Sequence, residues 1–497
     1  MRVLLVQPAT SAIGFEPITR VEPLALECLA GALSDHDVRL VDLRAGDDLE
    51  QVVASFRPRL CGLTCGFTVG TYATLRTAER IKSLDPDCFM LVGGHHASVM
   101  PEHFQHPAID AVCIGEGEEV VREVARTLED GNDLADVRGL VLNTGDSQRL
   151  TGERAQVDDL DRLPLPQREL VRRDSYYFHF WRPLALLETT RGCPYRCSFC
   201  SVWSFYRGTT RSKSALRALE EISAVREQNI LVGDDNFFAN VERAYQLAEL
   251  VRRDRLGKWF SVQVRADTIT ANPTLVQAWY EAGLRHVFLG LEAVSDESLE
   301  RLHKNSSLRD ADRALEVLRG FPAIGVTGSF IVDPSFTAAD FARLRTYVRR
   351  QGIGSPTYTV LTPLPGTPLF RKRSAELMTG NCDYFDLLHS VLPTSLEPAQ
   401  FASEFAALYR SSYSSRTIFS KRLTKTVWRL LNGEYSVLHV LRILRGMRSM
   451  TNAGFWLLPP EAPSVPAGMP SMCAQASHDG SAGPRTPSAS RRPSGIR

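Results

Sequence analysis

The chain has no run of the roughly 18 apolar residues that a helix needs to cross a bilayer, so no membrane-spanning segment is expected. It also lacks a charge imbalance, since 58 Lys and Arg stand against 57 Asp and Glu. A global field drawing the protein to nucleic acid is thereby excluded, and any basic surface must be local. The opening Met1-Arg2-Val3-Leu4-Leu5-Val6-Gln7-Pro8 stops being apolar too soon for a secretory leader. With ten cysteines in 497 residues, a reducing cytoplasm is the expected compartment. A last absence concerns three of those cysteines. Cys193, Cys197 and Cys200 fall in Glu-Thr-Thr-Arg-Gly-Cys-Pro-Tyr-Arg-Cys-Ser-Phe-Cys, and the next histidine downstream is as far away as His286. A zinc knuckle wants a fourth ligand at short spacing. Three thiolates on one tight loop can instead hold three irons of a four-iron cluster, whereas an electron-carrying cluster normally has four cysteines. The fourth iron then stays open to an exogenous molecule, which implies chemistry.

A hydrophobic content of 43% supports large cores, and the length allows two or three domains. Residues 1–145 alternate short apolar runs (Val3 to Val6, Val38 to Leu43, Leu60 to Thr64, Phe89 to Val92, Ala111 to Ile114) with helical patterns at Pro23 to Leu33, Tyr72 to Leu84 and Glu118 to Glu129. This α/β pattern predicts a doubly wound, Rossmann-like parallel sheet, whose ligands bind beyond the carboxyl ends of the strands. Those ends carry Thr64 and Thr68, then Gly93 and Gly94, then Gly115, Glu116 and Gly117. Small residues there leave room for a bulky ligand to approach the backbone, and a side chain at Gly94 is expected to block it. Residues 146–182, with Leu163-Pro164-Leu165-Pro166, read as an extended linker.

A second βα series spans 183–396, with six strands beginning at Leu184, Ile230, Phe260, His286, Val326 and Thr357. Six strands predict an open, partial (β/α)6 barrel with its functional residues at the carboxyl ends. Asp234 and Asp235, Arg265 and Glu292 occupy such ends. Residues 397–457 read as a helical C-terminal region. Within it Lys421 to Met450 is amphipathic and basic, fitting either a helix that closes the barrel's open end or one that lies on a membrane surface. Residues 458–497 are rich in Pro, Ser, Ala and Gly and read as a disordered tail. The thiols Cys28, Cys61, Cys65, Cys88 and Cys113 read as small core fillers.

The C-x3-C-x2-C spacing after the apolar strand Leu184 to Leu187 resembles the radical S-adenosylmethionine (SAM) superfamily. The resemblance implies a [4Fe-4S] cluster on Cys193, Cys197 and Cys200, whose open iron chelates SAM and whose electron cleaves it to a 5′-deoxyadenosyl radical. It places Phe199 at an adenine contact, Glu292 at the methionine ammonium or ribose, and Arg265 at the carboxylate, a pairing that guanidinium geometry favours. Asp235 is carried as a further cofactor contact. The Gly-Gly-x-His and Gly-Glu-Gly-Glu stretches are similar to those of the cobalamin-binding domain in one large branch of the superfamily. By that likeness Thr64, Thr68, Gly93, Gly94 and Gly115 to Gly117 line a corrin. No Asp-x-His-x-x-Gly is present to supply an axial histidine. The plain alternative for this region is a flavodoxin-like domain with glycine turns.

Short stretches beginning at Cys200, Gly233 and Asp386, together with Arg20-Val21-Glu22-Pro23-Leu24, look like those of the hopanoid C-3 methylases. The implied activity is methylation of an unactivated carbon of a lipid or other small molecule, with electrons from a donor such as flavodoxin or ferredoxin. No nucleic-acid partner is expected, and peripheral contact with the inner face of the membrane is. Two other enzyme readings stay open: a radical cyclase of the anaerobic magnesium-protoporphyrin monomethyl ester type, and a methyltransferase acting on another natural product. A cobalamin-binding regulator would have no need of the three cysteines, and an RNA methylthiotransferase would carry a basic β-barrel in place of the helical C-terminus.

Overall fold

The computed structural model describes residues 1–9, 18–413, 436–458 and 465–473. Short aliphatic runs form the strands because they can be buried on both faces of a parallel sheet. β1 (Arg2–Gln7), β2 (Asp37–Asp42), β3 (Leu60–Thr64), β4 (Phe89–Gly93) and β5 (Ala111–Cys113) pair in parallel in the order β2-β1-β3-β4-β5. Val3 and Leu5 pack with Leu26, Ala30 and Val124 on one face, and Leu4 and Val6 with Val53, Leu75 and Ile81 on the other. Helices thus cover both faces, the doubly wound arrangement expected from the sequence. Several elements were not anticipated, among them a helix and a hairpin. Helix Leu49–Phe56 starts at Asp48, whose carboxylate accepts from the Gln51 amide, and the hairpin β6 (Leu140–Thr144) and β7 (Ser147–Leu150) adds an antiparallel edge that carries the sheet past residue 145.

β8 (Leu184–Leu187), β9 (Asn229–Val232), β10 (Trp259–Arg265), β11 (Leu284–Glu292), β12 (Gly325–Val332) and β13 (Thr357–Val360) pair in chain order, all parallel, as a curled six-stranded sheet. This is the partial barrel. Alternation along each strand divides its side chains. Val287, Leu289 and Leu291 of β11, like Phe330 and Val332 of β12, enter the core under the helices, while Phe288, Glu292, Ser329 and Ile331 line the lumen.

Linker 146–182 does more than span. Its Tyr177–Phe178 pairs antiparallel with Thr19–Arg20, and the Phe178 ring meets His286, near the start of β11, at 5.2 Å. The resulting ribbon floors the barrel at the amino ends of its strands. Glu22, two residues on, is fully buried: its carboxylate accepts from the Leu186 amide of β8 at 2.5 Å and pairs with Arg168 and Arg173. That residue was noticed only as part of a subgroup motif, and it ties the first domain to the first barrel strand.

The disordered tail is corrected for 465–473. Met472 is buried beside Tyr72, Cys382 and Phe385, and its amide donates to the Gly380 carbonyl at 2.9 Å. Val465, Met469 and Met472 give this stretch apolar anchors that its overall composition hid. Residues 459–464 and 474–497, and the 414–435 part of the expected basic helix, lie outside the described residues. Among the described residues no helix is long and apolar enough to cross a membrane.

Burial keeps His95, His96, His103 and His286 uncharged in this fold. His96 bonds Thr68 Oγ1 at 3.1 Å and His103 at 3.2 Å. Burial holds His95 and His103 down near about 4 and His286 near about 3, and it lowers His96 well below the usual value. A base whose folded pKa is depressed stabilises the fold above its unfolded pKa, about 6.5, and that contribution is lost as pH falls through the folded value. The thermal midpoint should therefore drop between pH 6.5 and 4. For His103 the loss is roughly 3 kcal/mol at the acid end, and His103→Gln should flatten the pH dependence measured by calorimetry.

Candidate active site

The cysteine loop follows β8 and is fastened from several sides. Trp203 Nε1 donates to the Cys197 carbonyl at 3.1 Å, and the Ser198 amide to the Leu302 carbonyl at 3.0 Å. Gly192 opens the loop at φ +89, where a Cβ would run into the Thr209 carbonyl oxygen. Burial raises all three thiols, Cys200 to about 12. They are protonated when free, and a metal must displace those protons. Lys304 and Arg265, the cations that pull Cys197 back down, suit a site that becomes anionic on loading. Among the described residues no three Cys, His, Asp or Glu side chains converge on a single ion. A cluster asks for a different arrangement, with each thiolate meeting its own iron, and a loop bearing three thiols fits that.

Arg265 is placed differently from its expected role. Its guanidinium bonds Asp267 at 2.8 Å and the Lys304 carbonyl at 2.6 Å, and it stacks on Tyr195 with Cζ 3.6 Å from the ring centre. Nη1 lies 3.9 Å from Cys197 Sγ. In this structure it clamps the cysteine loop. Glu292 and Phe199 do face one space, a lumen cavity of ≈ 500 Å³ that also contains Cys200 and Ser201. Glu292 Oε1 accepts from Lys304 Nζ at 2.7 Å, with both side chains buried. Its backbone sits at φ +63, a left-handed conformation costing a non-glycine about 1 kcal/mol. Gly290 is required beneath the pair, because a Cβ there would lie 2.7 Å from Glu292 Oε1 and 2.9 Å from Lys304 Nζ. Lys304 was missed by sequence reasoning; no motif marks it. Of the two aspartates, buried Asp234 accepts from the Thr189 amide and hydroxyl, both at 2.6 Å, and fixes the chain after β8. Asp235 reaches solvent at one side, and its carboxyl stands close enough to the cysteine loop to raise the Cys193 and Cys200 thiols. The protein crowded around it, then Asp234 and Glu188, push its carboxyl up to about 7.

A second cavity, of ≈ 350 Å³, lies between the sheet domain and the barrel. Thr64, Gly93, Gly94 and Gly115 to Gly117 line it from one side, and Leu187, Glu188, Phe205, Tyr206 and Gly233 from the other. Thr68 does not line it; its hydroxyl is turned to His96. Gly94 is needed for a reason internal to the fold, since at φ +109 a Cβ would meet the Cys65 carbonyl oxygen at 2.8 Å. Gly115, at φ +87, is the residue that leaves space open, with nothing within 4 Å of its missing Cβ. His95 stacks on Phe205 at 4.5 Å, and its Nε2 is buried without a hydrogen-bond partner. An open cradle, an orphaned imidazole nitrogen and an apolar wall fit a large planar group carrying polar arms. Cys28 and Cys113, expected as core fillers, line this cavity too.

Glu116 works as a tie. Its carboxylate takes Arg191 at 2.8 Å and Arg211 at 2.9 Å, while Glu118 takes the other end of Arg191 at 2.5 Å. Arg191 stands two residues before Cys193, so the Gly-Glu-Gly-Glu stretch of one domain pins the cysteine loop of the other. Neither arginine was singled out from the sequence, where arginines flanking a cysteine motif, Arg191 before it and Arg211 after it, carry no signal of their own.

The B12 binding domain family matches residues 11–125 and the Radical SAM superfamily residues 187–348. The hopanoid C-3 methylase of Methylococcus capsulatus is 31% identical over 421 residues, covering 83% of this chain and 80% of its own. The chain belongs to the cobalamin-binding radical SAM enzymes. An anaerobic magnesium-protoporphyrin IX monomethyl ester cyclase from Rubrivivax gelatinosus is 25% identical over 446 residues, 86% of this chain and 80% of its own. The solved radical SAM methyltransferase TsrM from Kitasatospora setae, with cobalamin and a [4Fe-4S] cluster bound, superposes with a TM-score of 0.68 at 16% identity, over 90% of this chain and 99% of its own.

As a member of this family the protein uses cobalamin, SAM and a [4Fe-4S] cluster. The inter-domain cavity suits the first, and the cysteine loop with the adjoining lumen suits the other two. Gly115→Asn tests the corrin cradle, because asparagine tolerates a left-handed backbone yet adds a side chain to the open space. It should cut corrin uptake by about tenfold or more, the equivalent of about 1.4 kcal/mol, with little change in thermal midpoint. Uptake is read from the visible spectrum of the reconstituted protein.

Proposed function

We propose that this enzyme is a C-methyltransferase acting on an unactivated carbon of a polycyclic lipid, C-3 of a hopanoid. The observation that carries the reading is the wall of the lumen. Phe288, Ile331, Leu361, Leu364 and Leu387 make it largely apolar, threonine and serine hydroxyls interrupt it, and among the described residues no Arg or Lys lines it. A hydrocarbon skeleton with few polar groups suits such a wall. A tetrapyrrole carrying a free carboxylate finds no cation there, which disfavours the cyclase reading.

When bound, the cluster with SAM supplies a carbon radical that removes a hydrogen atom, and cobalamin supplies the methyl group. The chain's own residues position and exclude. Glu292, held by Lys304, offers a fixed acceptor beside Phe199 at the cysteine end of the lumen. Leu387 closes its side: its carbonyl accepts from the Val360 amide at 2.7 Å, and the strap around it is braced by His389, bonded to Asp386 at 2.9 Å and to the Phe455 carbonyl at 3.0 Å. This strap is the Asp386 stretch resembling the hopanoid C-3 methylases. A flavodoxin or ferredoxin would deliver the electron.

Anaerobically reconstituted protein given methyl-labelled SAM and a hopanoid should place label in the lipid and release both 5′-deoxyadenosine and S-adenosylhomocysteine. Deoxyadenosine without the homocysteine product overturns methylation and points to the cyclase type of reaction. Cys197→Ala should abolish SAM cleavage. Lipid profiles of the source cell with and without the protein identify the substrate directly.

A further inference from the structure

Helix Val437–Met450 has two unlike faces. Val440, Ile443 and Met450 are buried, and His439 fixes that face to the barrel floor: its Nε2 lies 2.8 Å from the His179 carbonyl, and its ring meets Tyr177 edge-on at 4.8 Å. On the other face Val437 is 63% exposed, Leu438 78%, Leu441 47% and Leu444 44%. These four follow helical spacing, and exposed Arg445 and Arg448 flank them, while Arg442 reaches back to the Tyr177 hydroxyl at 3.5 Å. The helix contains no acidic residue.

We propose that this exposed face docks on an anionic lipid bilayer and turns the base of the barrel toward it. Apolar side chains entering the acyl boundary while guanidinium groups meet lipid phosphates is the arrangement such a helix suits. A second copy of the chain fits less well, because pairing the face with itself would set arginine against arginine. The docked helix lies against the Tyr177–Phe178 ribbon, and Ile18, Thr19, Phe178 and His179 line the floor of the lumen. The bilayer thus faces the end of the cavity opposite the cysteine loop, and a lipid leaving the membrane meets the ribbon first. That the lipid is the substrate rests on the function proposed above; the docking does not.

The full-length holoprotein is sedimented with phosphatidylcholine vesicles with and without phosphatidylglycerol. It should bind the anionic vesicles preferentially, and salt should weaken the binding without abolishing it. Leu438→Glu combined with Leu441→Glu should lower the bound fraction by about tenfold or more, and Arg445→Gln with Arg448→Gln should remove the preference for phosphatidylglycerol. Both variants should keep the wild-type thermal midpoint and the cluster and corrin spectra. Hydrogen exchange on vesicles should show new protection at 437–445. Absence of vesicle binding overturns the proposal, as does binding indifferent to both variants or protection confined to other segments. A fall in thermal midpoint for the leucine variant means that the chain itself covers the face, and a concentration-dependent dimer lost in that variant means that a second copy does; either overturns it. Binding lost while detergent-dispersed lipid is still methylated leaves the substrate assignment standing, and binding retained without lipid methylation leaves the docking standing.

Discussion

The buried ion-pair knot of Glu116 and Glu118 with Arg191 and Arg211 is the constraint on which the site depends. It lies where the glycine-rich strand ends of the sheet domain meet the chain just before the cysteines. Burying charge is costly, so such a knot is weak evidence of stability, but removing one partner leaves the other buried and uncompensated at a cost of about 3–5 kcal/mol. Its geometry is therefore hard to relax. Arg191 is directional as well, holding Glu116, Glu118 and Glu188 at once, so it sets orientation as well as distance. Together with Glu22 on the Leu186 amide, the knot fixes both ends of the stretch that runs from β8 to the cysteine loop.

With the two domains fixed in this way, their cavities become neighbours separated by one short wall. Cys200 and Ser201 face the lumen, and Phe205 and Tyr206 face the inter-domain cavity, with the short helix Val202–Phe205 between them. Under the methyl transfer proposed above, the SAM and corrin sites would lie in two chambers on either side of this short helix. The lumen inherits its character from strand alternation, which turns one side of each strand to the helices and the other to the cavity.

Periodicity made most of the fold legible: every strand of both parallel sheets was anticipated, with ends differing by a residue or two. The helix after Asp48 and the β6–β7 hairpin escaped because they are short, and 465–473 because three apolar anchors were diluted among turn-forming residues. The cysteines were readable from spacing, while Phe199 and Glu292 were marked only through the resemblance to the superfamily. Lys304, Arg191, Arg211 and His95 were not, since each acquires meaning only from a partner far away in sequence. Arg265 shows the opposite limit. A guanidinium beside a cofactor site suggests anion binding, yet here Nε and Nη2 are taken by Asp267 and main-chain carbonyls and Nη1 faces the Cys197 thiol, which only three-dimensional packing reveals.

The wall between the chambers has an evolutionary consequence. A substitution between Cys200 and Tyr206 would disturb both chambers at once, so that stretch is poorly suited to gradual change. The floor ribbon, the early positions of β12 and β13 and the Leu387 strap touch only the lumen. New specificities should therefore arise from the floor upward, with the reactive end inherited intact while the far end is remodelled to admit different molecules.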